Sequence, residues 1–224
     1  MPTTKQRLSQ ANARWRGWLR QGWVKPVVFL AALGPALWMV YRGVSGHLGA
    51  NPIQALYRGF GDDAILFLMI ALGVTPLRRL TGWVEVVRLR RMLGLFAFFY
   101  ALLHLVSYAG LDQGFDWQAI GTDILKRRYI TVGMAVIVIL AALAVTSPKA
   151  VVRWMGGKRW RTLHRLVYLA GFGAVLHYFM MVKADTRPPL EYAAVLLILL
   201  ALRLPVPPLL KRLSMKTGLR SGNI

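Results

Sequence analysis

Six stretches of the chain are apolar over 16 to 20 consecutive positions, and short polar segments separate them. The stretches cover residues 26–41, 60–77, 92–111, 129–147, 163–182 and 189–204. A helix needs about 17–25 mainly apolar residues to cross a bilayer. The third stretch (MLGLFAFFYALLHLVSYAGL) and the fourth (YITVGMAVIVILAALAVTS) meet that length without an acidic or basic residue other than histidine. The pattern predicts an all-α, polytopic membrane bundle of six transmembrane helices.

Two of the stretches carry charges that limit their length. Asp62 and Asp63 lie near the start of the second, and we expect them to sit at the lipid headgroups and to shorten that span. Glu191 and Arg203 lie towards the two ends of the sixth. The connecting segments are too short to hold an inserted soluble domain.

Charge is divided unequally between alternate connecting segments. The 224 residues carry 29 Lys and Arg against 8 Asp and Glu, a net charge of +21. Of the basic residues, 22 fall in four alternate segments: 1–25, 78–91, 148–165 and the chain from 203 onwards. Seven of the eight acids fall in the other segments. Because basic loops stay in the cytoplasm, both termini are predicted to be cytoplasmic.

This topology divides the chain into three parts and accounts for its basic character. We expect a basic cytoplasmic N-terminus at 1–25, a membrane domain at 26–204 and a basic cytoplasmic tail at 205–224. The charge needs no nucleic-acid partner to explain it, so none is expected, and membrane lipid is the expected surroundings. Apolar residues make up 56% of the chain, more than the roughly 45–50% typical of soluble domains. The absence of cysteine excludes disulfides, thiolate-bound zinc, iron–sulfur clusters and haem attached through CxxCH.

Histidines carry the candidate chemistry. His47 lies in a predicted outer loop, whereas His104, His164 and His177 lie in predicted spans. Ionisable residues inside a membrane are rare and usually functional, although a neutral histidine that only bonds a neighbouring helix contributes about 0.6 kcal/mol. No carboxylate or lysine is expected deep in the bundle, which disfavours a proton or cation transporter. Neutral imidazole is also an axial ligand of haem iron.

Depth distinguishes the three histidines. His104 and His177 each lie about 8–10 Å from the outer ends of their spans, at 1.5 Å per residue. Two imidazoles at one level on different helices are suited to bind one haem iron from both sides. His164 lies about 20 Å further in, and on an ideal helix it points about 140° away from His177. Either Gly171 and Gly173 loosen the helix, or two haems sit on different sides of it. A second, inner haem at His164 would lack a histidine partner.

Aromatic residues and arginines near these histidines have two interpretations each. The aromatic side chains either wall a porphyrin or fill an ordinary membrane core. They are Phe96, Phe98, Phe99, Tyr100, Tyr108, Tyr168, Phe172, Tyr178 and Phe179. Arg90 and Arg91 are candidates to pair with haem propionates or a flavin phosphate, while topology explains most of the other basic residues.

Seven short motifs, spread over nearly the whole chain after residue 25, resemble one family. They are LGANP at 48–52, TPL at 75–77, RRMLGL at 90–95, LHLVSY at 103–108, KRRYITVG at 126–133, WRTLHRLVYL at 160–169 and HYFMMVK at 177–183. Together they resemble the MsrQ family, haem-binding membrane subunits of a bacterial periplasmic methionine sulfoxide reductase system. This family belongs to the ferric-reductase-like transmembrane superfamily.

The resemblance implies a function that spacing alone does not. It implies haem b, in one or two copies, with His104, His164 and His177 at the family's haem histidines, and it implies FMN. It places the chain in the bacterial inner membrane, passing electrons outward to a periplasmic molybdopterin reductase, MsrP. A cytoplasmic flavin reductase or a quinone is the implied donor, and the catalytic site is expected on the partner.

Two alternatives remain open from the residues themselves. One is a cytochrome b that exchanges electrons with quinone for a different partner. The other, from a different class, is a small-solute transporter whose histidines only pack. No nucleophile–base set, hydrolase motif or nucleotide-binding glycine pattern is present in the sequence, which favours a role other than catalysis.

Overall fold

The computed structural model describes residues 13 and 15–204, and the predicted tail at 205–224 lies outside them, as do residues 1–12 and 14. The described residues are mostly helical, and none of them forms a strand. Residues 15–20 are helical, and nine α-helices follow among the described residues: α1 Val24–Val44, α2 Pro52–Thr81, α3 Val87–Val106, α4 Trp117–Lys126, α5 Arg128–Val145, α6 Lys149–Met155, α7 Gly157–Leu163, α8 Leu166–Met181 and α9 Arg187–Ala201. A 3₁₀ turn at Val84–Val86 precedes α3, and a π-helical segment at Ser107–Asp112 extends it.

The membrane-protein prediction is confirmed at the level of the class. Four described helical segments are long and apolar enough to cross a membrane: Val24–Val44, Pro52–Thr81, Val84–Asp112 and Arg128–Val145. Helices α8 and α9 match the fifth and sixth predicted spans in position but have only 16 and 15 residues. The count of six spans therefore stays a prediction.

The helix that carries the second predicted span is longer than the span itself. Helix α2 has 30 residues and starts at Pro52, behind Asn51, whose side chain accepts a hydrogen bond from the backbone amide of Gln54 at 3.1 Å. Asn as an N-cap with proline at the first helical position is a strong start signal. The helix therefore begins ten residues before Asp62, and the position of Asp62 and Asp63 at the lipid headgroups stays a prediction.

A turn interrupts the helix at the start of the fifth predicted span. Helix α7 ends at Leu163, His164 and Arg165 form a turn, and α8 starts at Leu166. His164 and His177 thus do not share one ideal helix, and the 140° angle does not apply. Gly171 and Gly173 lie within an unbroken α8, so the helix is not loosened at these positions. A Cβ on either would lie 3.3 Å or less from side chains of α2, α5 or α9, so these glycines allow close helix packing.

A buried tyrosine fixes α3 against α1. Helices α2 and α3 pack along most of their length, and the fully buried Tyr100 of α3 reaches across to α1. Its hydroxyl donates to the Ala32 carbonyl at 2.6 Å and accepts from the Ala36 amide at 3.1 Å, one residue after Pro35. The hydroxyl thus inserts into the backbone ladder of α1. His104 lies one turn further along α3, so this contact also sets the direction in which His104 points.

The start of α3 is held by the segment before α1. Glu85 is only 6% exposed and pairs with Arg20 at 3.0 Å and Arg16 at 3.4 Å. These ion pairs join the described part of the predicted N-terminal segment to the 3₁₀ turn that opens α3. The basic segment is therefore docked on the bundle at this point.

Candidate functional site

His104 is held by α2. Its Nδ1 lies 2.7 Å from the backbone carbonyl oxygen of Tyr57, and the Tyr57 ring stands edge-on to it with centroids 6.1 Å apart. The imidazole rests on Gly61, where a Cβ would lie only 3.0 Å from Nδ1. Because a carbonyl only accepts, Nδ1 carries the hydrogen.

His177 is held in the same way by α5. Its Nδ1 lies 2.6 Å from the carbonyl oxygen of Tyr129, and the Tyr129 ring centroid is 6.2 Å from its own. A Cβ on Gly133 would lie 2.8 Å from Nδ1 and Cε1. This imidazole also donates from Nδ1.

Both histidines thus rest on a tyrosine and a glycine four residues apart, and we call each such pair a tyrosine–glycine seat. In an α-helix the carbonyl of one residue already accepts from the amide four residues later. The tyrosine carbonyl therefore takes a second hydrogen bond, and the missing side chain of the glycine leaves room for the imidazole. The two seats, Tyr57 with Gly61 and Tyr129 with Gly133, fix both rings in the same tautomer.

The two seats bring His104 and His177 together. Their ring centroids are 6.2 Å apart, and the rings are inclined at 82°. Since both Nδ1 atoms are used by carbonyls, the Nε2 atoms are left as ligands. A metal ion bonded to both at about 2 Å would hold the ring centres roughly 6 Å apart, which fits the observed separation.

The number of protein ligands distinguishes a haem from a metal ion that the protein alone would hold. Within the described part of the chain, no group of three or more His, Asp or Glu side chains lies close enough to hold a metal ion. A protein zinc site needs three or four protein ligands, whereas a haem iron takes at most two axial ones because the macrocycle supplies the rest. The paired imidazoles therefore fit haem.

An acidic side chain lies beside the pair. Asp62 directly follows Gly61, and its carboxylate is within hydrogen-bonding reach of the hydroxyl of Tyr178, the residue after His177. Asp62 is exposed, so it does not contradict the expectation that no carboxylate lies deep in the bundle, which stays a prediction.

His164 lies apart from the pair. Its ring packs on Trp160, with centroids 4.1 Å apart, and its Nε2 is 3.2 Å from the Thr146 hydroxyl. That hydroxyl already donates to the Ala142 carbonyl at 2.6 Å, so it accepts from Nε2–H of His164. His164 therefore has the opposite tautomer to the paired histidines. No second histidine adjoins it among the described residues.

Most of the predicted aromatic wall is ordinary core. Tyr100 stacks on Phe67 at 5.2 Å and packs with Phe96 and Phe99 between α2 and α3. Phe172 and Phe179 are exposed on the outside of the bundle. The residues that the sequence analysis missed are the seats, whose signal is the repeated Tyr-x-x-x-Gly at 57–61 and 129–133.

Fold and site together define the class: a polytopic helical membrane protein with two facing histidines on separate helices.

The family model described as ferric reductase like transmembrane component matches residues 59–175, which include His104 and His164 and end two residues before His177. Relatives named protein-methionine-sulfoxide reductase heme-binding subunit MsrQ are similar over most of their length. The relative from Rhodospirillum rubrum is 56% identical over 187 residues, 84% of this chain and 89% of its own. Those from Caulobacter vibrioides and Polaromonas naphthalenivorans are 46% and 47% identical, over 79% and 83% of this chain and 84% and 86% of their own. The chain belongs to the MsrQ family of ferric-reductase-like transmembrane proteins.

Proposed function

We propose that the chain binds haem b through His104 and His177 and carries electrons across the bacterial inner membrane to a periplasmic MsrP-type molybdopterin reductase. The observation that carries this proposal is the facing pair of imidazoles with free Nε2 atoms, 6.2 Å apart between ring centroids. The names of the relatives, which are heme-binding subunits, support it.

The residues of this chain position the ligands. Each tyrosine–glycine seat holds Nδ1–H and so leaves Nε2 as the nitrogen that would bind the iron. Hydrogen bonds from Nδ1–H to carbonyls orient the ring and raise the basicity of the ligand nitrogen. Bound haem would supply a one-electron redox centre, while methionine sulfoxide reduction takes place on the partner.

The orientation in the membrane is part of the proposal. Six spans with both termini in the cytoplasm place the outer ends of α3 and α8, and hence the histidine pair, towards the periplasm. The uneven division of the 29 basic residues supports this orientation. This orientation would place the haem at the paired histidines next to a periplasmic partner.

A second, inner haem at His164 extends the proposal towards the cytoplasmic donor. Ligation through Nε2 would require His164 to give up its hydrogen bond to the Thr146 hydroxyl. FMN, and a flavin reductase or quinone as donor, are proposed on family resemblance.

If His164 binds an inner haem, the variant His164→Ala should keep the haem at the paired histidines but should prevent its reduction by the cytoplasmic donor. Normal donor-driven reduction with full haem content would make His164 a packing residue.

Complementation tests the function directly. In a strain without its own periplasmic system, the chain expressed with its MsrP partner should restore reduction of methionine sulfoxide in periplasmic proteins. His104→Ala and His177→Ala should each abolish this, while the loop variant His47→Ala should not. If wild-type membranes reduced with dithionite show no b-type haem bands, the proposal fails and the transporter alternative gains support.

A further inference from the structure

The helix that carries His104 is tied to α4 beyond the histidine. The π-helical segment Ser107–Asp112 continues α3 and carries Tyr108, which lies four residues, about one helical turn, after His104. The Tyr108 hydroxyl donates a hydrogen bond to Oδ2 of Asp123 at 2.9 Å. Single π-helical turns inside or at the end of α-helices are often found at functional sites. The outer end of this ligand helix is therefore attached to α4 through one carboxylate.

A tight turn brings α4 to this position. Gly114 and Phe115, between the π-helical segment and α4, have φ values of +58° and +59°. A bulky residue such as Phe115 rarely adopts this left-handed conformation and keeps it only where its surroundings hold it. Its backbone amide donates to the Ala109 carbonyl at 2.7 Å, and a Cβ on Gly110 would lie 2.9 Å from its ring. The chain is thus folded back on the π-helical segment, which places Asp123 beside it.

The other oxygen of Asp123 is linked to the seat of His177. Its Oδ1 is 3.0 Å from Nε of Arg127, and the Asp123 side chain is only 15% exposed. Arg127 separates α4 from α5, and its Nη1 donates to the Tyr129 hydroxyl at 3.3 Å. Tyr129 is the residue whose carbonyl holds Nδ1–H of His177. One side chain therefore connects the helix of the first histidine to the seat of the second.

We propose that Asp123 is a positioning residue of the haem site, which fixes the outer end of α3 relative to Tyr129 and balances the charge of Arg127 beside the iron. This inference rests on the proposed haem at His104 and His177. A carboxylate that is mostly covered stays ionised when both of its oxygens accept hydrogen bonds, and here they do. Groups around the axial ligands tune both their orientation and the redox potential.

The charge has a direction of effect that packing alone does not have. Asparagine has almost the same shape as aspartate, so Asp123→Asn keeps the packing but leaves the Arg127 cation without its partner. Oxidised haem carries one more positive charge than reduced haem. An unbalanced cation nearby therefore favours the reduced form and raises the midpoint potential, and the effect is larger where the surroundings exclude water.

The test compares purified full-length Asp123→Asn and Tyr108→Phe with the matched control Asp112→Asn. The control removes the same charge from an exposed position, where the carboxylate contacts only the neighbouring Gln113 among the described residues and water screens it. Pyridine haemochrome assay gives haem content, a redox titration gives the midpoint potential, and electron paramagnetic resonance of the oxidised protein reports the angle between the two axial imidazole planes.

In Asp123→Asn the midpoint potential should rise, so that the ratio of reduced to oxidised haem at a fixed potential increases severalfold over the control. In both Asp123→Asn and Tyr108→Phe the low-spin signal should broaden, because the imidazole planes are held less firmly. Tyr108→Phe should shift the potential less, since it removes no charge.

A potential and a resonance signal equal to those of Asp112→Asn would overturn this proposal alone, while the haem proposal would stand. Should Asp123→Asn fail to retain haem, Tyr108→Phe decides, because it removes one hydroxyl only, and a signal as sharp as the control's overturns the proposal. A wild-type protein without haem would overturn the proposed function and this inference with it.

Discussion

At the scale of single residues, two glycines decide whether the histidines can meet. Gly61 and Gly133 face imidazole rings at distances that leave no room for a methyl group. In an ordinary helix position, alanine in place of glycine stabilises by about 0.5–1 kcal/mol. Here the clash with a ring that is bonded to a backbone carbonyl opposes that gain. Overpacking of this kind costs about 1–3 kcal/mol, which is more than alanine gains in the helix. We therefore expect alanine at either position to be destabilising.

The first prediction follows from this balance. Gly61→Ala and Gly133→Ala should each lower haem content per protein at least severalfold, with the larger loss at Gly133, where the approach is 2.8 Å rather than 3.0 Å. Gly94→Ala is the control, because a Cβ there meets nothing within 4 Å. Pyridine haemochrome assay on purified protein measures the effect. Haem content equal to the control in both seat variants would show that the seats do not position the ligands.

At the scale of helices, Tyr100 connects α1 to the helix that carries His104. Tyr100→Phe leaves the Ala32 carbonyl and the Ala36 amide without the hydroxyl that bridges them. The loss of a buried partner costs about 1–3 kcal/mol. We expect a lower midpoint of thermal unfolding in detergent, with haem released at the lower temperature. Tyr41→Phe, which removes an exposed hydroxyl on α1, should leave the midpoint unchanged. An equal midpoint for both variants would contradict the role of Tyr100.

The helices also show how much of the fold could be predicted from the sequence. Long apolar runs located the helices and placed His104 and His177 at one depth, because rise per residue is constant along a helix. The apolar run at 60–77 locates only part of α2, because the helix starts at the Asn51–Pro52 signal, outside that run. The turn at His164 has no proline or glycine to announce it, and the approach of His104 to Gly61 and of His177 to Gly133 depends on how separate helices pack. Neither property belongs to one segment of sequence.

At the scale of the whole molecule, the division of charge predicts the orientation of the bundle in the membrane, on which the proposed direction of electron flow depends. Reporter fusions at the C-terminus and after Thr146 should report a cytoplasmic location, and a fusion near Gly114 should report a periplasmic one. Gly114 lies between the π-helical segment and α4, so it accepts an insertion without interrupting a helix. A periplasmic C-terminus would reverse the orientation and place the histidine pair towards the cytoplasm.

The central claim is that His104 and His177 bind the same iron from two helices. The most direct measurement is the dithionite-reduced minus oxidised spectrum of purified His104→Ala, His177→Ala and the double variant, with His47→Ala as control. Because one iron is shared, each single variant should lose the same b-type haem signal, the double variant should lose no more than either, and the control should keep the whole spectrum. Independent losses that add in the double variant would contradict the account, since they would assign the two histidines to different haems.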